Sequence, residues 1–382
     1  MKDNILQIKD VTKIFPFAKV TGIFSRKIKQ AILDEQKAKP YTSNEGVIAL
    51  QHISLNISSD EFVVILGESG SGKSTLLRIV AGLEKANLGE VIFDNQDISA
   101  LMPEQRDVAM VFQNYALYPH LSVYDNIAYP LANRHMPREE IDKLVMDIAE
   151  DLKIKDLLQK SPSSLSGGES QRVAIARALV RNPKMFLLDE PLSNIDEELR
   201  KDILRQLKSL HKKMNIPFLY VTHNQEDARV LADRVIVLKD GKLVQDGSLI
   251  ELYDSPISIY SASLIGYPQI NIYEDIPVEN GTVNLLGRQY HSSKLNKYQK
   301  VTVGIRPSDI KIDNKGIGIG VDYCEVADSK LISHLTYEGK EIVVAEILND
   351  AQIEPYSFGT ILNIDIPEDK LNFFDDKGNR IS

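Results

Sequence analysis

Apolar positions change their period along the chain. Ile53, Leu55 and Ile57 alternate with His52, Ser54 and Asn56, the two-residue period of a strand buried on one face. Phe62 to Leu66, Met185 to Leu188 and Phe218 to Thr222 are unbroken apolar runs, as expected of central strands covered on both sides. Leu76 to Val80 and Val173 to Val180 carry helical spacing instead. Strands and helices interleaved up to about residue 245 predict an α/β fold. Asp240-Gly241, a favoured two-residue turn, joins two short strands between Val235 and Val244 and predicts a hairpin at a sheet edge. Beyond residue 270 the texture becomes short alternations, Val301 to Ile305, Ile342 to Ala345 and Ile361 to Ile366, separated by Gly, Asn, Asp and Pro; this predicts a small all-β domain. Helical spacing from Ser248 to Ile265 links the two. The expected division is 1–247 and 248–382.

Residues 16–46 interrupt the first domain with six basic residues (Lys19, Arg26, Lys27, Lys29, Lys37, Lys39) against three acidic ones. Ser25 is placed to cap a helix with Ile28 and Ile32 on one face. Two readings stay open for this stretch: a solvated excursion between strands, or a contact with a membrane surface or partner.

Length and charge narrow the function. At 382 residues two domains are expected. The formal charge of −9 and the lack of a Lys/Arg block argue against nucleic acid as a partner, which needs a basic footprint. The longest apolar run, around Phe62 to Leu66, is far shorter than the ~20 residues of a membrane-spanning helix. The first residues carry no signal-peptide pattern, so a cytosolic protein is expected. Cys324, the only cysteine, can form no internal disulfide and is given no role.

Three segments carry chemistry. Gly67-Glu68-Ser69-Gly70-Ser71-Gly72-Lys73-Ser74-Thr75 lies between an apolar strand and a helix, the context of a phosphate-binding loop. Its glycines let consecutive N–H groups turn inward at a helix N-terminus, where partial positive charge favours an anion. Lys73 is expected to reach the β- and γ-phosphates and Ser74 to ligate Mg²⁺. The strand Met185 to Leu188 ends in Asp189-Glu190; a carboxylate delivered beside a phosphate loop suits Mg²⁺, and the next one suits a general base for an attacking water. Leu165-Ser166-Gly167-Gly168-Glu169-Ser170-Gln171-Arg172 opens a second helix and makes a second anion site. One nucleotide needs only the first of these sites. Two copies, each closing the other's nucleotide, would use both.

At these residues the chain resembles the ATP-binding cassette (ABC) transporter ATPases: the phosphate loop, the Leu165 to Gln171 signature and Leu187-Leu188-Asp189-Glu190-Pro191 stand in the family's order. The resemblance implies a P-loop NTPase cassette with a helical subdomain at about 114–180. It further implies that Gln113 touches Mg²⁺, that His223 contacts the γ-phosphate, and that Ser193 to Asp196 form the loop through which two protomers communicate. Ser166, Gly167, Gly168 and Glu169 would then serve the nucleotide of the other protomer. Phe15 stands where the family stacks adenine on an aromatic ring; a place in the core is its alternative.

Arg106 to His120 is similar to the corresponding stretch in ATPases of maltose-type carbohydrate importers. Gly266 to Asn271, Gly304-Ile305-Arg306-Pro307 and Leu371 to Asp375 resemble their C-terminal oligonucleotide-binding-like (TOBE-type) regulatory β-barrel. This resemblance implies a peripheral subunit on the cytoplasmic face of the cell membrane, acting as a homodimer on ATP and Mg²⁺. Its partners would be two transmembrane permease subunits and, through them, an extracytoplasmic solute-binding protein. Tyr115, Leu117 and Tyr118 are expected to line the cleft that receives a permease helix. Sugars are the expected solute. The 16–46 insertion is similar in place to that of glycine-betaine importer ATPases, which keeps betaine, a polyamine, a glycerophosphodiester or an anion open. A soluble non-transport ATPase is a third alternative, and a binding or regulatory module without turnover, against which Glu190 speaks, is the last.

Overall fold

A computed structural model describes residues 4–17, 42, 46–193, 195–348 and 356–381. The chain divides into two compact units, Met1–Leu249 and Ile250–Ser382. The helix expected around Ile28 and Ile32, and Asn194 of the loop expected to link two protomers, lie outside the described residues.

The first unit is layered around a parallel sheet. β1 (Asn4–Pro16) and β2 (Gly46–Ser58) form a long antiparallel pair. β3 (Phe62–Leu66) leads into helix α1 (Lys73–Ala81). Next come β4 (Leu88–Phe93), β5 (Gln96–Asp97) and β6 (Val108–Val111). Helices α2 (Val123–Ala132), α3 (Arg138–Asp151) and α4 (Gly167–Leu179) make up a helical region. The chain then returns through β7 (Met185–Asp189), α5 (Glu197–Met214), β8 (Phe218–Thr222), α6 (Gln225–Leu231), β9 (Arg234–Lys239) and β10 (Lys242–Gly247).

Strand order in the large sheet is β10-β9-β3-β8-β7-β6, parallel except for the β9–β10 hairpin at the edge. Every residue of β3, β7 and β8 is buried, as their unbroken apolar runs predict. Each such apolar side chain contributes about 1.5–3 kcal/mol relative to exposure. The hairpin turns on Asp240 and Gly241 at φ 48° and 74°, left-handed values that this pair tolerates. A second, antiparallel sheet, β2-β1-β4-β5, packs Leu6, Ile8, Ile53 and Ile57 with α1 and with Ile65 and Leu187 of the parallel sheet into one core. Helix α1 therefore sits between two sheets, and its C-terminal carbonyls, Ile79 and Val80, accept from Arg106 Nη1 at 2.7 and 2.8 Å.

The second unit begins with two short helices, α7 (Leu249–Asp254) and α8 (Ile259–Leu264), and continues as strands joined by short turns. β11 (Asn271–Glu279), β12 (Thr282–Leu285), β13 (Arg288–His291), β14 (Lys300–Ile305) and β19 (Asn372–Phe374) form one antiparallel sheet. β15 (Lys311–Ala327), β16 (Lys330–Tyr337), β17 (Lys340–Ile347) and β18 (Ile361–Asp365) form the other. Val303, Ile305, Leu335, Ile342 and Val344 share a core between them. This is the expected barrel-like all-β domain. Arg306 is buried within it; its guanidinium donates to the carbonyls of Tyr253, Ala262 and Ile265 and lies 4.3 Å over the Tyr253 ring, tying α7 and α8 to β14.

Candidate functional site

The loop from Gly67 to Gly72 joins β3 to α1, and its shape depends on glycine. Gly72 has φ 102°, and a Cβ there would lie 2.4 Å from the carbonyl oxygen of Ala49. Gly70, at φ 86°, faces open space. Two chain segments brace the loop from behind: the Gly241 N–H donates to the Ser71 carbonyl at 3.1 Å, and the Gln51 N–H donates to the Gly241 carbonyl at 2.7 Å. The Ser71 hydroxyl is buried with no hydrogen-bond partner among the described residues, an orphan that a phosphate oxygen would satisfy. Ser69 is exposed at the mouth of the loop, and Thr75 is half-buried in the first turn of α1.

Five polar side chains converge on this loop. Lys73, the first residue of α1, is buried and donates to the carbonyls of Gly67 and Glu68 at 2.8 and 2.9 Å. Burial pushes its ammonium below the ordinary lysine value, and the nearby Glu190 and Asp189 charges oppose the shift. Glu190 lies between two basic side chains, with Oε1 3.7 Å from Lys73 Nζ and Oε2 3.4 Å from His223 Nδ1. Its backbone takes φ 43°, rare for a residue with a Cβ, and is held by a hydrogen bond from its N–H to the Val221 carbonyl. That bend turns Glu190 out of the line of β7, so that it and Asp189 serve different neighbours. Asp189 accepts from the Ser74 hydroxyl at 2.6 Å, and burial raises its carboxyl above the ordinary aspartate value.

The donor set fits nucleotide and magnesium. Among the described residues no cluster of three His, Cys, Asp or Glu side chains could hold a metal by itself. Mg²⁺ needs none, since it is bound through one or two protein ligands with phosphates and waters completing the shell. Ser74 and Asp189 supply such a pair. Gln113 does not join them: its amide donates to the Ser193 hydroxyl at 3.3 Å, linking the end of β6 to the loop after β7.

The signature residues occupy a separate element. Ser166 caps α4, accepting from the Glu169 N–H at 3.2 Å while Glu169 accepts from the Ser166 N–H at 2.7 Å. This reciprocal cap contributes about 1 kcal/mol and fixes the helix start. Its second bond holds the Glu169 carboxyl below the ordinary range. Gly167 is the first helical residue. Gly168 packs closely on the end of the Leu199 side chain, 2.0 Å from where a Cβ would stand. Phe15 is exposed near the end of β1, with Lys13 Nζ 4.7 Å over its ring, and takes no part in the core.

A groove of about 580 Å³ opens elsewhere on this unit, lined by Met110, Phe112, Tyr118, Tyr129 and Arg177. Tyr118 is among its lining residues, and Tyr115 and Leu117 are not. Arg177 reorganises this stretch by donating to the carbonyls of Tyr115 and Ala116 and covering the Tyr118 ring. Sequence reasoning also missed Arg200 and Asp227. They form a two-pronged ion pair whose chain positions give no signal, since both look like ordinary charged helix residues.

Comparison with known proteins gives concordant matches. The ABC transporter family model matches residues 50–193. The chain is 41% identical over 343 residues to the sn-glycerol-3-phosphate import ATP-binding protein UgpC of Psychromonas ingrahamii, covering 86% of this chain and 90% of that protein. It is 38% identical over 354 residues to the UgpC protein of Vibrio vulnificus, covering 91% and 94%. Among solved structures, the bacterial ABC transporter cassette MJ0796, determined as a dimer, matches with a TM-score of 0.53 and 32% identity over 64% of this chain and 98% of that one. The cbiO1 protein from Clostridium perfringens, part of an ABC transporter complex, matches with a TM-score of 0.55 and 28% identity over 66% and 92%. The cassette fold, the phosphate loop with its carboxylates and these relatives agree: the chain belongs to the ABC transporter family and is an ATP-binding, ATP-hydrolysing subunit of the importer type.

Proposed function

We propose that two copies of this chain bind two Mg-ATP between them and drive an importer by closing on ATP and reopening after its hydrolysis. The observation that carries the reading is the convergence of Lys73, Glu190 and His223 on the phosphate loop. Lys73 and the amides of Gly67 to Thr75 bind the phosphates and fix the γ-phosphorus for in-line attack. Glu190 orients the attacking water and accepts its proton. His223 and Gln113 hold the γ-phosphate from one copy, and Ser166 and Gly168 of the second copy close over it, excluding bulk water. Ser74, Asp189 and Gln113 would hold a magnesium ion, which when bound would supply charge neutralisation at the phosphates. Phe15 stacks on the adenine. Transport follows because ATP binds the closed dimer better than the open one.

Among the described residues no helix is long and apolar enough to cross a membrane, so on this reading two permease subunits supply the spans. Each seats a cytoplasmic helix in the groove lined by Phe112, Tyr118 and Tyr129, and the assembly lies at the cytoplasmic face. A solute-binding protein delivers cargo from outside. Residues 248–382 serve as the regulatory domain. The solute we assign is a small polyhydroxylated molecule, a sugar or a glycerol phosphate; the names of the Psychromonas and Vibrio relatives favour the phosphorylated member.

Copurification from native membranes in mild detergent tests this. Two multi-span proteins and a solute-binding protein are the expected companions, and that last subunit should bind sn-glycerol-3-phosphate or a sugar. Recovery of ribosomal or DNA-associated proteins with no membrane partner would overturn the transport reading.

A further inference from the structure

Asp227, on α6, is fully buried, and its carboxylate is saturated with donors from two other elements. Arg200 of α5 donates from Nε to Oδ1 at 2.8 Å and from Nη2 to Oδ2 at 2.7 Å. The hydroxyls of Tyr220 and Thr222, on β8, both donate to Oδ2, at 2.9 and 2.8 Å. The node has two outlets to the backbone. Arg200 Nη1 donates to the carbonyl of Leu192, two residues beyond Glu190, at 3.3 Å. Thr222 Oγ1 accepts from the Asn224 N–H at 3.0 Å, so the residues on both sides of His223 are fixed. Asn224 in turn caps α6 through the Glu226 N–H at 2.7 Å.

A buried carboxylate is costly unless paired and hydrogen-bonded, and the planar guanidinium fork gives the pairing a defined geometry. Neither Arg200 nor Asp227 contacts Lys73, Ser74 or Glu190 in any described hydrogen bond or ion pair. What the pair does touch is the two loops from which Glu190 and His223 project, side chains only 3.4 Å apart. We propose that Arg200 and Asp227 are positioning residues for hydrolysis: through Leu192 and Thr222 they set the spacing of Glu190 and His223, and hence the geometry of the attacking water, without binding nucleotide. The inference rests on the roles given above to Glu190 and His223.

The test is steady-state ATP hydrolysis by the full-length protein carrying Arg200→Lys, which keeps the charge and loses the fork, or Thr222→Val, which keeps the shape and loses the link between Asp227 and Asn224. A misplacement of about 1 Å costs on the order of 10²-fold in rate. Arg200→Lys should therefore lower kcat by roughly tenfold or more and Thr222→Val by roughly fivefold or more, with KM for ATP within about twofold of the parent. Thr222→Val keeps the side-chain shape but loses two buried hydrogen bonds, so its Tm should fall while a single cooperative thermal transition shows that the protein is folded. Unchanged kcat in a folded Thr222→Val protein, or KM rising in step with the loss of kcat, would overturn the inference. Glu190→Gln and His223→Ala are run beside them. Full turnover in both would remove the site reading and the inference with it, whereas inactivity in both beside a fully active Thr222→Val removes the positioning role alone.

Discussion

Ser74 and Asp189 lie 115 residues apart in the chain and share one hydrogen bond, from the serine hydroxyl to Asp189 Oδ1 at 2.6 Å. It joins the first turn of α1 to the end of β7, so the two side chains that the proposed reading gives to magnesium, Ser74 as ligand and Asp189 behind it, are held together by the protein itself. Outer-sphere partners of this kind typically contribute about 10–100-fold in metal affinity or activity. Asp189→Asn should accordingly lower Mg-dependent hydrolysis by about that factor. ATP affinity measured without magnesium should stay near the parent value. Equal losses with and without the metal would show that Asp189 shapes the loop instead of serving the ion.

Glu190→Gln keeps the side chain's size and removes its basicity. Loss of a positioned general base costs about 10²–10⁴-fold, and turnover should fall within that range. ATP binding should persist, leaving a closed dimer visible by size-exclusion chromatography. Substantial remaining hydrolysis would assign the proton to another acceptor.

His211 of α5 is buried edge-on between the Phe62 and Phe218 rings, and burial lowers its pKa from the ordinary value of 6.5. Asp233 and Asp60 pull the other way, and Lys208 adds to the lowering. The unfolded chain therefore takes up a proton at pH values where the folded protein still excludes it. The stability that neutral His211 supports is intact above pH 6.5 and is lost as pH falls from there towards the lowered folded value, by at most about 1.4 kcal/mol per pH unit. Replacing it, as in His211→Leu, should flatten the dependence of the urea midpoint below about pH 6.5. An unchanged slope would place the titration elsewhere.

Arg306→Lys should destabilise the second unit. One ammonium cannot replace a guanidinium that reaches three carbonyls in and beside two helices, and an unsatisfied buried acceptor costs about 1–3 kcal/mol. Thermal unfolding should show the transition of the Ile250–Ser382 unit moving down while ATP binding by the first unit is retained. A shift in both together would mean that the units unfold as one.

Much of the cassette was legible because its central strands leave no choice of period: β3, β7 and β8 are buried on both faces, so their runs are continuous and the loops at their ends carry the chemistry. Lys73, Asp189, Glu190 and His223 follow from such strand ends. Long-range polar pairing was not legible. Asp227 sits in a short helix among other charged residues, and nothing in its spacing says that its carboxylate is buried under Arg200, Tyr220 and Thr222. Gln113 was readable as a residue type but not as a partner of Ser193. Nor does the sequence show that Arg177, from α4 and more than one element away, holds the carbonyls of Tyr115 and Ala116.

The turn at Asp240-Gly241 has a consequence for nucleotide binding. A loop already braced by Gly241 and by the backbone beside Ala49 has little conformational freedom to lose when a triphosphate enters. On the reading proposed above, its amides and the Lys73 ammonium read charge and spacing and are indifferent to the base. Interaction free energy that a floppy loop would consume in becoming ordered is thus left over for motion elsewhere in the protein, and choice among nucleotides has to be exercised at the far end of the ligand.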